Sequence, residues 1–324
     1  MSTPTENVAD SLESLRDEID GIDDRIHSLL MERASVVQRI ADVKTSATSR
    51  GPASDDDNSS SGAPHAEAGS MPDAPPVVFR PAREALILRR LTERHRGAFP
   101  LPVLLRIWRE MISGYTRIQG PFSVAACVAE GEHLVWDIAR DHFGSCTPIR
   151  VMRTPMPCVR AVMDRDATIG VVPWPEDNDP SPWWGSLLSR DPKTPTIVAR
   201  LPFVESDRNG GGARALAIGR VPHESSGDDR SFIAIELSED ISRSRLKDAI
   251  VRTGLTPSAF WSAATDRERA QPLHLIEVEG FVPDGDAALT KIEQALDNRV
   301  LRIAAIGGYA VPIDLEPDKS APSV

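Results

Sequence analysis

One apolar stripe at the start of the chain constrains the fold more than any other feature. From Leu12 onward, large apolar residues recur every three or four positions, at 12, 15, 19, 22, 26, 29, 36, 40 and 43. This spacing predicts a coiled-coil-like helix of about 35 residues, roughly 50 Å long. Asp10 with Glu13 predicts its start, and "TSATSRGP" predicts its end. A helix of that length requires packing partners along its apolar face.

Arg33 stands in this stripe where the pattern requires an apolar residue. An unpaired buried guanidinium is costly, and Glu32 is adjacent in the helix, so the two side chains do not face each other. A bound anion is a reasonable partner for Arg33, although a charge that sets helix register is an alternative. Lys44 follows 11 residues later, on the same face and about 16 Å away.

Arg16 lies 17 residues before Arg33, or about 25 Å along a straight helix. One small ligand therefore cannot reach both residues in a single copy of the helix. A second copy packed antiparallel along the stripe brings its Arg16 near the first copy's Arg33 and Lys44. If these three residues share a task, the pattern implies an intertwined homodimer, whereas Arg16 alone is interpreted as a solvated surface charge.

Composition excludes several classes of protein. The 324 residues suffice for two domains, and 40% apolar content allows each a core. A net charge of -11 disfavours nucleic acid and acidic membranes as partners. The three cysteines match neither a zinc ligand set nor a disulfide framework. An acidic N-terminus without an apolar signal segment, and no run of 18 apolar residues, predict a cytoplasmic protein.

The rest of the chain divides by composition. Residues 46–76 are rich in Ser, Asp, Pro and Gly and predict a disordered insertion. "RPAREALILRRLTERHRG" and "LPVLLRIWREMISGYTRIQG" predict a second and a third helix. After Pro121, short β-type runs alternate with helical patterns, which indicates an α/β region. From Ser231 the order of patterns is β-α-β-β-α-β.

Three polar residues of the second and third helices complete a candidate site. Arg83 and Glu84 lie in the first turns of the second helix, and Gln119 ends the third at an inward-facing position. Taken singly, they are ordinary for a helix start and a helix cap. Together with the cations of the first helix, they form a set of cations, one carboxylate and one amide, without a His, Cys or Ser nucleophile. Such a set suits binding a small dianion and stabilising developing charge.

Residues 9–120 resemble the all-helical (type II) chorismate mutase family, which in many bacteria is fused ahead of prephenate dehydratase. The motifs are "LRDEIDGIDDRIHSLLMERASVVQRIADVK", with Arg, Arg and Lys at the family's spacing, "RPAREALILRRL", and "REMISGYTRIQ". The resemblance implies an intertwined dimer that rearranges chorismate to prephenate without cofactor or metal.

The resemblance also implies residue roles. Arg16 of one copy and Arg33 of the other bind the two carboxylates of chorismate. Lys44 and Gln119 contact the ether oxygen that gains negative charge, while Glu84 holds the ring hydroxyl and Arg83 positions the substrate side chain. Two lining positions depart from the family: Arg80 stands where relatives commonly have Asp, and Tyr115 where they have Ser.

The second half of the chain resembles a prephenate dehydratase domain over residues 121–222 and an ACT-type regulatory unit over 231–315. His133, Val172, Pro173 and Arg214 match dehydratase motifs, but Ala213 replaces the threonine that helps expel the leaving hydroxyl. A methyl group cannot protonate or polarise a leaving group. The phenylalanine-binding Glu-Ser-Arg-Pro motif is also missing, with "LTPSAFWSAAT" in its place.

The sequence therefore predicts a helical mutase domain, a catalytically degenerate dehydratase-like α/β domain and an α+β, ferredoxin-like ACT unit. The leading hypothesis is a chorismate mutase of aromatic amino acid biosynthesis with a non-catalytic C-terminal half. Three alternatives remain open: a bifunctional mutase-dehydratase, a non-enzymatic metabolite sensor, and a helical interaction module whose cations are structural.

Overall fold

The computed structural model describes residues 12–49, 78–130, 133–205, 214–263, 271–297 and 299–315. They fall into two compact units. The first contains residues 12–49 and 117–120, and the second contains 78–116 and the described residues from 121 onward. The second helix and most of the third thus belong to the same compact unit as the α/β elements. The three domains predicted from the sequence ended instead at residues 120, 222 and 315.

The first helix, α1, spans Leu12–Ser49. The predicted long helix is confirmed, and it ends at Ser49, inside the stretch "TSATSRGP" that was predicted to end it. Thr45 and Ser46 donate hydrogen bonds to the carbonyls of Ala41 and Asp42, so their hydroxyl groups are satisfied inside the helix and do not end it. Residues 46–49 of the predicted insertion are therefore helical, while Asp10 and the rest of 46–76 lie outside the described residues.

The apolar stripe of α1 is exposed along the length of the helix. Each of its nine large apolar side chains is at least 38% exposed, and Leu12 is 74% exposed. A continuous exposed apolar stripe of this length is unusual on a monomeric protein.

The second unit begins with a helical hairpin. The predicted second and third helices are confirmed as α2, Pro81–Arg94, and α3, Leu101–Gln119. Pro81 stands in the first turn of α2, where its missing N–H costs nothing. The hairpin buries Ala85, Leu88 and Leu105 against Phe203, which fixes α2 and α3 on the α/β part of this unit.

The predicted α/β region is also confirmed. It contains β1 Val124–Cys127, α4 Leu134–Phe143, β2 Ile149–Met152, α5 Pro155–Met163, β3 Ile169–Pro173, a 3₁₀ helix Trp183–Leu187, β4 Thr196–Leu201, β5 Val204–Glu205 and β6 Ala215–Gly219. Strand β1 pairs in parallel with β2 and β3. Strand β6 pairs antiparallel with β3 and β4.

The final elements follow the predicted β-α-β-β-α-β order. They are β7 Asp229–Leu237, α6 Arg243–Val251, β8 Pro257–Ser262, β9 Leu273–Glu279, α7 Ala287–Ala295 and β10 Val300–Ala310, followed by the short β11 Ile313–Asp314. Strand β7 pairs antiparallel with β9 and β10. This order is confirmed, and the likeness to ACT units stays a prediction.

Strands of both predicted C-terminal domains lie in one nine-stranded mixed sheet, in the order β2-β1-β3-β6-β4-β10-β7-β9-β8. The two parts join where Gly307 of β10 pairs in parallel with Ile197 of β4. A Cβ atom at Gly307 would lie 2.1 Å from the Ile197 carbonyl oxygen, and the Gly307 φ of 108° also favours glycine. Glycine therefore permits the close approach that joins the two parts of the sheet.

Candidate active site

Lys44 and Gln119 come together in the first unit. The Lys44 ammonium donates a hydrogen bond of 3.3 Å to Gln119 Oε1, and both side chains are half-buried. The Gln119 amide has an NH₂ group and the Lys44 ammonium has three N–H bonds, and all of these are hydrogen-bond donors. A cation beside an amide donor can stabilise negative charge that develops on an oxygen atom.

Arg16 and Arg33 lie on α1 with Lys44, at different levels of the helix. Arg33 is half-buried and Arg16 is exposed. The helix is continuous from Leu12 to Ser49, so the separation of about 25 Å between Arg16 and Arg33 holds within one copy. A single chain therefore does not bring the two arginines to one small ligand.

Glu84 of α2 forms a buried ion pair in the second unit. Its Oε2 accepts a 2.8 Å hydrogen bond from Arg109 Nη1 of α3, and the two side chains are 11% and 7% exposed. Burial raises the pKa of the Glu84 carboxyl to about 7, although Arg109 opposes that shift. Burial also lowers the pKa of Arg109. The pair thus places a carboxyl and a guanidinium group in a largely dry environment.

The other predicted site residues of this unit have separate surroundings. Arg80 forms two hydrogen bonds, of 2.8 and 3.2 Å, with the carboxylate of Glu224. Arg83 is exposed on α2, and Tyr115 is buried on α3 with 9% of its surface exposed. Arg80 is therefore already engaged by a carboxylate of its own unit.

Sequence reasoning missed Arg109. It lies four residues after Leu105 and three before Ile112, so it stands on the buried stripe of α3. This is the signal that drew attention to Arg33: a charged residue at an apolar position. His142 of α4 is a second missed residue, buried with its Nε2 unpartnered within the described part of the chain. Burial, and then the nearby Arg109, hold the pKa of His142 well below its usual range.

Four residues match dehydratase motifs, and three of them lie in a strand or directly next to one. Val172 and Pro173 end β3, and Arg214 precedes β6. His133 precedes α4, and Ala213 lies outside the described residues. Across the described ranges, no group of three His, Cys, Asp or Glu residues could hold a metal ion. None of the helices in these ranges combines the length with the apolar composition that a transmembrane span requires.

Comparison with known families assigns the helical part. The model described as "Chorismate mutase type II" matches residues 15–120. These residues are therefore a type II chorismate mutase domain, with Arg16, Arg33, Lys44, Glu84 and Gln119 inside the matched range.

Two relatives extend the likeness beyond this domain. The bifunctional chorismate mutase/prephenate dehydratase of Stutzerimonas stutzeri is 31% identical over 166 residues, which cover 51% of this chain and 39% of the relative. The Pseudomonas aeruginosa protein of the same name is 30% identical over 168 residues, with the same coverages. The aligned half of the chain is longer than residues 1–120, so the homology continues into the second half. The chain spans about two fifths of the length of these curated relatives.

Solved structures of similar shape were found at low sequence identity. A prephenate dehydratase from Arthrobacter aurescens in complex with L-Phe has a TM-score of 0.43 and 12% identity, covering 62% of this chain and 92% of that one. The prephenate dehydratase from Streptococcus mutans has a TM-score of 0.42 and 13% identity, covering 60% and 100%.

Proposed function

We propose that the protein is a chorismate mutase, which rearranges chorismate to prephenate within one molecule. The observation that carries this proposal is the Lys44–Gln119 pair inside the range matched by the type II model. In this reaction a C–O bond breaks while a C–C bond forms. Negative charge gathers on the ether oxygen as the C–O bond lengthens, and Lys44 and Gln119 stabilise that charge. The reaction needs no cofactor or metal, because no proton or electron leaves the substrate.

The active form is a homodimer through α1. Its exposed apolar stripe needs a partner, and a second copy offers the same stripe for antiparallel packing. In that arrangement Arg16 of one copy and Arg33 of the other bind the two carboxylates of one substrate molecule. The partner copy therefore completes each site.

The remaining roles come from the family resemblance. Glu84 binds the ring hydroxyl, and Arg83 orients the substrate side chain. Arg80 and Tyr115 line the site where relatives have other residues, so they adjust the contacts with the substrate. The cytoplasm is the proposed location, and nucleic acid and membranes are not proposed partners.

The C-terminal half is proposed to be a non-catalytic dehydratase-like and ACT-like module. Purified protein supplied with prephenate at neutral pH is expected to form no phenylpyruvate above the spontaneous rate, because Ala213 cannot help expel the leaving hydroxyl. Absorbance of phenylpyruvate in alkali measures this. Saturable, enzyme-dependent formation of phenylpyruvate would instead establish a bifunctional mutase-dehydratase, as in the names of the relatives.

The direct test of the proposed activity is the loss of chorismate absorbance with the purified protein. Saturable consumption with prephenate as the product supports the proposal. Ligand-induced thermal stabilisation without turnover would favour a metabolite sensor, and no effect of chorismate at all would favour a helical interaction module.

A further inference from the structure

The chain enters α2 from the hydrophobic core of the C-terminal half. Phe79, two residues before the helix, is 3% exposed, and its ring centroid lies 5.7 Å from those of both Phe122 and Phe143. The next residue, Arg80, is held by the carboxylate of Glu224. The start of α2 is therefore fixed by a buried aromatic contact and by an ion pair.

One side chain in the middle of α2 fastens this helix to the main chain of the C-terminal half. Arg89 donates hydrogen bonds from Nη1 to the carbonyl oxygen of Ser226 at 3.0 Å and to its hydroxyl at 3.1 Å. From Nη2 it donates to the carbonyl oxygens of Asp228 and Val311, both at 2.8 Å. Bonds from an ionised donor are stronger than those between neutral groups, and a guanidinium holds its donors in one plane. Four such bonds to two separate segments restrict both the position and the rotation of α2.

The acceptors of Arg89 are themselves fixed by the sheet. Asp229, the first residue of β7, is buried, and its Oδ2 accepts a hydrogen bond of 2.9 Å from the Ser226 N–H. Asp229 also pairs with Ala310, the last residue of β10, which directly precedes Val311. The turn before β7 and the end of β10 therefore offer Arg89 a rigid set of carbonyl groups.

Helix α3 is fastened to the same half of the chain. The carboxylate of Glu110 accepts a hydrogen bond of 3.0 Å from the Ser145 N–H. One turn later, the Ser113 hydroxyl donates to the carbonyl oxygen of Phe143 and lies 3.0 Å from the Thr147 hydroxyl. Both helices that follow α1 in the mutase domain thus have their framework in the C-terminal half.

We propose that the C-terminal half is the structural support of the mutase domain, and that Arg89 is a positioning residue for the mutase reaction. Arg83 and Glu84 precede Arg89 by six and five residues on the same helix, so the hydrogen bonds of Arg89 set where these two groups meet the substrate. Groups that orient a substrate lose much of their effect when they are displaced by about 1 Å. The inference rests on the proposed function and gives the non-catalytic half a role in it.

The test is the steady-state kinetics of chorismate consumption by the Arg89→Met protein. Methionine keeps most of the apolar stem and removes all four hydrogen bonds. KM is expected to rise at least about fivefold, because displaced binding groups weaken substrate binding. A merely structural role gives a different result, since partial unfolding lowers the apparent kcat and leaves KM unchanged. Arg90→Met, at the exposed next position of α2, should keep the wild-type KM.

Two further variants separate positioning from folding. Arg89→Lys retains the charge and part of the hydrogen bonding, so its KM should lie between those of the wild type and Arg89→Met. This variant decides the case if Arg89→Met does not fold. Asp229→Asn changes only the C-terminal half, where it loosens the turn that carries the Ser226 and Asp228 carbonyls, and it should also raise KM.

Amide hydrogen exchange of the same proteins measures the anchoring without turnover. In Arg89→Met, the amides of α2 should exchange at least about tenfold faster than in the wild type, whereas those of α6 and α7 should not change. An unchanged KM or an unchanged exchange rate of α2 in Arg89→Met overturns the inference and leaves the proposed function standing. If the wild type does not consume chorismate, the proposed function fails and the inference fails with it.

Discussion

Replacing Lys44 with alanine is expected to lower kcat/KM for chorismate at least about a hundredfold. The ammonium group contributes most when the ether oxygen carries its largest negative charge, so its loss raises the barrier by about 3 kcal/mol, the order found for one preorganised oxyanion donor. Initial rates of chorismate consumption across a substrate series measure the change. Arg33→Ala is expected to lose activity to a similar extent, because a substrate carboxylate loses its partner.

Two controls test whether the loss of activity is specific to Lys44 and Arg33. Arg25→Ala removes an exposed cation of the same helix outside the apolar stripe, and it should retain wild-type kcat/KM. Circular dichroism should show equal helix content in all variants, since each change is a single residue in a 38-residue helix. Wild-type turnover by Lys44→Ala would remove Lys44 from the site.

The largest effect on stability is expected at Arg109. Arg109→Ala leaves the Glu84 carboxylate buried without its partner, which should lower the free energy of unfolding by about 3–5 kcal/mol. Urea unfolding of the full chain, followed by the fluorescence of its tryptophans, measures the change. The size of the effect follows from burial, because the two side chains are only 7% and 11% exposed.

The surface pair three residues earlier on α3 provides the matched control. Arg106 pairs with Asp141, and these side chains are 68% and 48% exposed, so Arg106→Ala should cost less than about 1 kcal/mol. The double variant Glu84→Leu/Arg109→Met removes both buried charges and should recover most of the stability lost in Arg109→Ala. Equal costs for Arg106→Ala and Arg109→Ala would contradict the assignment of a buried pair.

The local patterns of the sequence predicted much of this fold. The three-four spacing predicted α1, and the positions of Pro81 and Gln119 marked where α2 begins and α3 ends. Both signals are local, since helical periodicity and cap chemistry depend on residues within a few turns. Residues 46–49 were assigned to the insertion although they are helical, because Ser and Thr favour helix ends only where their hydroxyls do not bond back to the helix.

Contacts between distant residues could not be predicted in the same way. The pairing of Ile197 with Gly307 joins strands more than 100 residues apart, and it brings Arg200 near Tyr309. No periodicity in the sequence specifies such a pairing. The Glu84–Arg109 pair was accessible in principle, because Arg109 interrupts the apolar stripe of α3 as Arg33 interrupts that of α1. In this chain, a charged residue at an apolar position of a helix is thus the most informative sequence signal for a charged group that needs a partner.

The central claim is that two copies of α1 contribute cations to one substrate. The most direct measurement is the activity of Arg16→Ala and Arg33→Ala proteins, each nearly inactive alone, after they are unfolded together and refolded as a mixture. Random pairing makes half of the dimers mixed, and each mixed dimer has one site with both native arginines, so activity should recover to about a quarter of wild type. If the refolded mixture shows only the average of the two parent activities, Arg16 and Arg33 of different copies do not share a site.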